Sequence, residues 1–332
     1  MMQTSLRSIA NKAAKEKTYR FRSLARLLTV NMLSWCWSFI NKKAAAGVDK
    51  ISAKAYEKNL HANIANLVER SKSGRYKAKL VKRQHILKEN GKLRPLGIPA
   101  IEDKLLQTGV KVILESIYEQ DFMPCSYGYR PNIGAVNALD DLYKELRYGR
   151  YNYVVEADIR GYFDNIDHDI LEKMLLMRID DKKFIRLIKK WLIAGVLDTD
   201  GKVISPATGT PQGGIVSPVL ANIYLHYALD KWVEHVVVPN SNGQVYLCRY
   251  ADDFVCAFQY EYDAVRFYNE LAKRLAKFNL QLAEEKTNII RFSRFQSKEK
   301  TKFDFLGFEF RWGKSRFGKI TLKRRTSPKK LA

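Results

Sequence analysis

The chain has 332 residues, of which 46% are hydrophobic and 12% aromatic. That is enough apolar material for two or three packed subdomains, and it excludes disorder as the main state. Lys and Arg number 58 against 35 Asp and Glu, a net charge of +23, and the pI is near 9.7. A surplus of this size points to a polyanionic partner, because each neutralised phosphate releases counterions.

The charge is unevenly spread. Residues 1–100 carry 22 basic and 5 acidic side chains, a net of +17. Residues 101–300 are nearly neutral at −2, and residues 301–332 return to +8. Carboxylates therefore concentrate in the middle, between two cationic ends. Cys36, Cys125, Cys248 and Cys256 contain no CxxC pair, so neither a zinc knuckle nor a disulfide framework is expected. The longest apolar stretch, 27–40, is too short for a bilayer, and the N-terminus lacks the apolar core of a signal peptide.

In chain order, residues 1–46 read as a basic extension, with Arg20 and Arg22, followed by a helix over 27–40. A second helix is expected over 53–72, capped by Ser52 and stopped by Gly74. Residues 78–98 read as a β-hairpin turning at Asn90-Gly91 and lined by Lys82, Arg83, Lys88, Lys92 and Arg94. Helices follow over 102–119 and 133–148, the latter with Val136, Leu139, Leu142, Tyr143 and Leu146 inward.

A short strand over 153–157 ends at Asp158. Helices fit 167–177 and 182–193, then a Gly- and Pro-rich loop covers 205–217 and a helix runs to about 232. Strands at 245–250 and 254–258 flank Ala251-Asp252-Asp253. A helix spans about 263–279, strands fit 286–292 and 303–311, and the last twenty residues read as a basic tail. This order suits an α+β fold with an antiparallel sheet backed by helices.

If the strand before Asp158 neighbours the 245–258 hairpin, three carboxylates meet at one sheet edge. Crowded acids repel one another unless cations neutralise them. Oxygen ligands without nearby Cys or His favour Mg²⁺ over zinc. Two such ions about 4 Å apart activate a 3′-hydroxyl and stabilise leaving pyrophosphate. The β-branched and aromatic flanks of the Asp252-Asp253 pair separate it from an ordinary solvated turn.

The residues then carry a resemblance. Arg249-Tyr250-Ala251-Asp252-Asp253-Phe254 resembles the YADD box of reverse transcriptases. Ala157-Asp158-Ile159-Arg160-Gly161-Tyr162-Phe163-Asp164-Asn165-Ile166-Asp167-His168 is similar to that family's first catalytic block, and Thr208 through Pro218 to its nucleotide-loop block. Four weaker blocks, at 93–99, 126–131, 285–287 and 305–308, agree in order. Their wording looks most like group II intron-encoded proteins, the maturases, over roughly 47–312.

The resemblance implies a right-hand polymerase: a basic N-terminal extension at 1–46, fingers at 47–150, a palm at 151–312, and a tail at 313–332 leading to an absent thumb. It implies an RNA-directed DNA polymerase that also binds intron RNA for splicing and retrohoming. The alternative is a non-catalytic RNA-binding splicing cofactor. Implied partners are intron and template RNA, a DNA primer with its cDNA product, and dNTPs. No membrane partner is implied, and a homodimer is compatible with the chain without being specified by it. The expected location is the cytoplasm, as a ribonucleoprotein.

Asp158, Asp252 and Asp253 are the implied catalytic acids. With the Ile159 carbonyl they would hold two Mg²⁺, or Mn²⁺ as a substitute. The implied nucleotide site comprises Arg94, Arg160, Gly161, Tyr162, Phe163, Gln212 and Lys286. Phe163 would act as the gate against a 2′-hydroxyl, and Lys104 is a further candidate for the triphosphate. RNA contacts are assigned to Arg20, Arg22, Lys82, Arg83, Lys88 and Lys92. Trp35, Trp37, Tyr148 and Tyr151 are available for base stacking, with core packing the plainer use.

Overall fold

The computed structural model describes residues 2–87, 91, 93–205, 207–210, 213–295 and 301–328. Helix α1 (Met2–Lys15) opens the chain, inside the stretch expected to be only a basic lead-in. The next helix, α2 (Val30–Trp37), is shorter than the apolar run around it because Thr29 caps it, accepting from the Met32 amide. The 53–72 helix is split into α3 (Ala53–Glu57) and α4 (Leu60–Lys72). Ser52 caps the first, and Gly74, at φ +78°, lies just past the second.

Strands β1 (Val81–Leu87) and β2 (Leu93–Ile98) form the expected antiparallel hairpin, with Lys82 opposite Ile98 and Leu87 opposite Leu93. Then come α5 (Ile101–Tyr118) and α6 (Ala135–Tyr148). In α6, Leu139, Leu142 and Leu146 are buried, but Val136 is exposed, one turn too early on the helix to reach the core.

Strand β3 (Tyr153–Ala157) is followed by α7 (His168–Leu176) and α8 (Lys182–Leu192). Asp167 caps α7 and Asp181 caps α8 through their carboxylates. Two short strands the sequence reading did not expect, β4 (Val196–Leu197) and β5 (Val203–Ile204), precede α9 (Ser217–Leu225). Wider π-type turns carry the helical course on through His226–Asp230 and Val233–Val237.

The hairpin β6 (Val245–Tyr250) and β7 (Asp253–Phe258) precedes α10 (Glu261–Ala276). The chain closes with β8 (Asn288–Arg291), β9 (Lys302–Phe305), β10 (Phe308–Lys314) and β11 (Ile320–Thr326). The single strand expected over 303–311 is thus a hairpin, turned by Leu306 and Gly307 with φ of +49° and +78°. Part of the stretch read as a basic tail is also a strand: β11 pairs along the whole of β10 and buries Leu322. Its alternation is masked in sequence by the cations at 323–325.

The chain packs as two compact units, each made of two stretches. One comprises Met1–Asp121 and Phe163–Ile223, the other Phe122–Tyr162 and Tyr224–Ala332. These limits differ from the expected divisions at 47–150 and 151–312, because α6 packs on β6 and β11 while α7 and α8 pack on one another.

The first unit is organised on α5, whose Leu105, Leu106, Val110, Ile113, Leu114 and Ile117 are fully buried. Its sheet has the order β2-β1-β4-β5. Burial of Arg178 is matched by an ion pair to Asp121 at 2.8 Å and by carbonyls of Ala13, Glu16 and Tyr19.

The second unit holds a four-stranded antiparallel sheet in the order β6-β7-β3-β8, and a three-stranded sheet in the order β11-β10-β9. One apolar cluster joins α6 to both sheets through Leu139, Leu142, Val154, Val255, Phe292, Phe303 and Phe310. Among the described residues, no helix is long and apolar enough to cross a membrane.

Candidate active site

Two strands far apart in sequence bring the acids together. β3 pairs antiparallel with β7, and its last pair sets Ala157 opposite Phe254. The next step along each strand is Asp158 on one side and Asp253 on the other. Asp252 lies in the two-residue turn that closes β6 and β7, where Tyr250 faces Asp253.

The electrostatics register this crowding. Burial of its surroundings, then the charges of Asp252 and Asp158, push the Asp253 carboxyl up to about 6, although its side chain still reaches solvent. Lys286 opposes that rise. Its ammonium donates to Asp158, and this bond raises the Lys286 pKa. Lys286 lies on a helical turn, Glu284–Lys286, rather than in the strand expected from 286 onward.

Asp158 is fixed by its backbone as well. Its carbonyl accepts from the Ala283 amide at 2.9 Å, and the Arg160 amide donates to Gln281 at 2.9 Å. These bonds form a bridge at Ile159 and Leu282 in which the Ile159 carbonyl takes no part. Arg160 pairs with Glu285 at 2.7 Å, with both side chains solvent-exposed.

The turn carrying Asp252 rests on a buried polar knot that the sequence reading left without a role. Ala251 adopts φ +58°, a left-handed conformation that an alanine holds only with outside support. Its carbonyl accepts from Arg249 Nη1 at 2.9 Å. The same guanidinium contacts Asp230 through Nε at 2.7 Å and Nη2 at 2.6 Å, and Ser126 Oγ at 2.6 Å. A charged residue in the apolar strand 245–250 was the available signal, since a buried guanidinium requires a carboxylate.

Segment 125–127 lies beside β6, with Arg249 N donating to Cys125 O and Tyr127 N to Arg249 O. This brings Gly128 against the turn. A Cβ on Gly128 would sit 2.3 Å from Ala251 N, so only glycine fits. Tyr162 is buried at 2% exposure, and that burial holds its phenol neutral. Its ring is closed to solvent, so any part Tyr162 has in the expected nucleotide site falls to its backbone. Arg130, from the block at 126–131, is tied to the carbonyls of Met123 and Ser126.

Apart from Tyr148, Tyr151 and Gly161, which belong to the second unit, the remaining assigned residues belong to the first. Phe163 is mostly buried, and its carbonyl accepts from the Thr210 amide at 2.8 Å. His168 Nε2 meets the Gly209 carbonyl at 2.7 Å. Gly213, at φ +105°, stands where a Cβ would lie 2.1 Å from the Gly97 carbonyl, so its smallness serves a close approach to β2. Lys82 is exposed on β1, whereas Arg83 pairs with Asp198 at 3.0 Å. Arg22 and Arg20, two of the six cations assigned to RNA, both pair with Asp180, at 3.0 and 3.7 Å, and Arg20 also donates to the Leu176 carbonyl. Lys104 donates to the Ala45 carbonyl instead of projecting freely. Trp37 and Tyr151 are core residues, while Tyr148 is exposed. Lys88, Lys92, Gln212 and the Arg94 side chain lie outside the described residues.

Among the described residues, no group of three or more His, Cys, Asp or Glu side chains is arranged as a ready metal cage. The donor chemistry still suits hard divalent cations. Asp158, Asp252 and Asp253 stand at neighbouring positions with no thiol or imidazole among them, and burial, then the charges of Asp252 and Asp158, raise the Asp253 carboxyl.

Comparisons with known proteins identify the family and the fold. The family described as "Reverse transcriptase (RNA-dependent DNA polymerase)" matches residues 86–310. The group II intron-encoded protein LtrA of Lactococcus lactis subsp. cremoris is 46% identical over 171 residues, 51% of this chain. The chain spans 28% of that relative's length. Protein YkfC of Escherichia coli (strain K12) is 30% identical, covering 95% of this chain and 89% of its own. Among solved structures, telomerase from Candida albicans superposes with a TM-score of 0.57 at 12% identity. That match covers 84% of this chain and 50% of the telomerase chain, a likeness of fold.

Proposed function

The chain belongs to the reverse transcriptase family, in its group II intron maturase branch, and on that premise we propose that it copies RNA into DNA at Asp158, Asp252 and Asp253. The observation that carries the reading is the convergence of three acids from the end of β3 and the β6–β7 turn, with Asp253 raised by burial and then by the charges of the other two. Asp158, Asp252, Asp253 and the Ile159 carbonyl would hold two Mg²⁺, with Mn²⁺ able to substitute. When bound, the cations supply activation of the primer 3′-hydroxyl and neutralise charge on the leaving pyrophosphate.

The protein's own groups do the positioning. Lys286 holds the Asp158 carboxylate in a fixed orientation. The Arg249 knot sets the backbone of the Asp252 turn. Arg94, Arg160, Lys286 and Gln212 are assigned to the incoming nucleotide, together with the backbone at Gly161 and Tyr162. Phe163 is assigned to exclude ribonucleotides. Arg20, Arg22, Lys82, Arg83, Lys88 and Lys92 are assigned to the nucleic-acid backbone, and fingers at 47–150 and palm at 151–312 are functional divisions that cut across the two packing units. Binding of intron RNA for splicing and retrohoming, as a cytoplasmic ribonucleoprotein, completes the proposal.

The test is extension of a DNA primer on an RNA template with dNTPs and Mg²⁺, with RNA affinity measured in parallel. Asp252→Ala is expected to abolish extension and leave RNA affinity intact. Extension by that variant at the wild-type rate would refute the assignment. Absence of extension by wild type, with RNA bound tightly, would favour the splicing-cofactor role.

A further inference from the structure

The first unit contains a basic cleft that the polymerase reading does not use. Its volume is about 560 Å³, and its wall comes from three separate segments. Arg26 stands on the short helical turn before α2, Lys72 on the last turn of α4, and Lys183, Arg186 and Lys190 on α8. No acidic side chain lines it.

Helix α8 explains how the cleft is made. Its apolar side, Phe184, Ile185, Leu187, Ile188, Trp191 and Leu192, is buried. Lys183 and Arg186 are thereby left exposed on the opposite face. Some cations elsewhere in this unit are paired, Arg83 with Asp198, Lys189 with Glu172 and Arg22 with Asp180. Among the described residues, Arg26, Lys72, Lys183 and Arg186 have no carboxylate partner. Lys190 is different, since it donates to the carbonyls of Gly74 and Tyr76 and so fixes the cleft wall.

Four unneutralised cations around one concavity repel each other unless an anion is shared among them. The sole aromatic residue in the wall, Tyr76, is buried at 1% exposure and hydrogen-bonded to Asp103, so it offers no face to a base. Single-stranded nucleic acid is gripped by stacking platforms together with charge, whereas duplex RNA is recognised through shape and phosphates. We propose that this cleft is a docking site for the phosphate backbone of base-paired RNA, built by Arg26, Lys72, Lys183 and Arg186. It rests on the reading of the chain as an RNA-binding protein, and names where a folded RNA is held in the first unit.

The experiment uses the whole chain carrying Arg26→Gln, Lys183→Gln and Arg186→Gln together. These positions are exposed, so the fold should survive, and an unchanged melting temperature checks it. Affinity is measured by filter binding for an RNA hairpin and for single-stranded poly(U) over a range of salt. Hairpin affinity is expected to fall by about tenfold or more, and the slope of log affinity against log salt to shrink by about 3, one per lost phosphate contact. Poly(U) affinity is expected to change little. An unchanged hairpin slope would overturn the proposal, as would equal losses on hairpin and poly(U). So would displacement of the hairpin by polyglutamate at equal charge, which would assign the cleft to an acidic polypeptide. The readout needs no catalysis. If wild type extends no primer yet the hairpin loss appears, the polymerase reading fails and the cleft stands.

Discussion

Arg249 and Asp230 form a fully buried ion pair at 2.6 Å, and the same guanidinium holds the carbonyl of Ala251 in the turn that presents Asp252. Removing one partner leaves a bare charge in the core. Arg249→Met should therefore cost about 3–5 kcal/mol of stability, read as the urea midpoint. The double variant Arg249→Met/Asp230→Leu should recover much of that stability without recovering primer extension, because the support at Ala251 is still gone.

Gly128 separates misplacement of the acids from loss of them. Adding a methyl group there pushes on Ala251 N, 2.3 Å away. Gly128→Ala should lower primer extension by about 100-fold, the scale of an ångström-sized displacement of reacting groups. RNA affinity should hold. Gly134→Ala, where a Cβ meets nothing within 4 Å, serves as the matched control and should extend normally.

His226 gives the second unit a pH dependence. Burial, then the neighbouring charges of Lys231, Arg249, Arg130 and His235, lower its pKa to about 3. The unfolded chain takes up a proton near the ordinary value of about 6.5, while the folded chain resists until about 3. Between those limits the unfolded state binds more protons, so stability falls as pH falls, by up to about 1.4 kcal/mol per unit from this one group. Denaturation midpoints measured from pH 7 to pH 4 should show the decline. His226→Phe should make it shallower.

Phe163 is assigned the role of sugar gate on its place five residues after Asp158 in the first catalytic block. Phe163→Val should raise incorporation of ribonucleotides relative to deoxynucleotides in primer extension. Equal discrimination by variant and wild type would remove the gate from this position.

The acids were legible in the sequence because strand pattern and motif coincide there. A five-residue strand pattern with Val154 and Val155 at its centre ends at Asp158, and a hairpin pattern surrounds Asp252 and Asp253. The supporting layer was not legible. Arg249 stood inside a recognised motif, yet its partners Asp230 and Ser126 lie 19 and 123 residues away, and no local period connects them. The same holds for Gly128, whose need for smallness arises from a neighbour brought in by the fold. Strand β11 was hidden because half of its alternation is charge, and Arg20 and Arg22 looked free because Asp180 is remote in sequence. The 286 region was read as a strand because its apolar residues begin at Ile289, whereas the chain first makes a helical turn that delivers Lys286 to Asp158.

The central claim is that Asp158, Asp252 and Asp253 act as one cation-holding site. Electron paramagnetic resonance of Mn²⁺, titrated into protein with primer, RNA template and dNTP, counts the bound ions directly. About two per chain are expected for wild type, and tight binding should be lost when Asp158→Asn and Asp252→Asn are combined. The same number of tightly bound ions in both proteins would contradict the account.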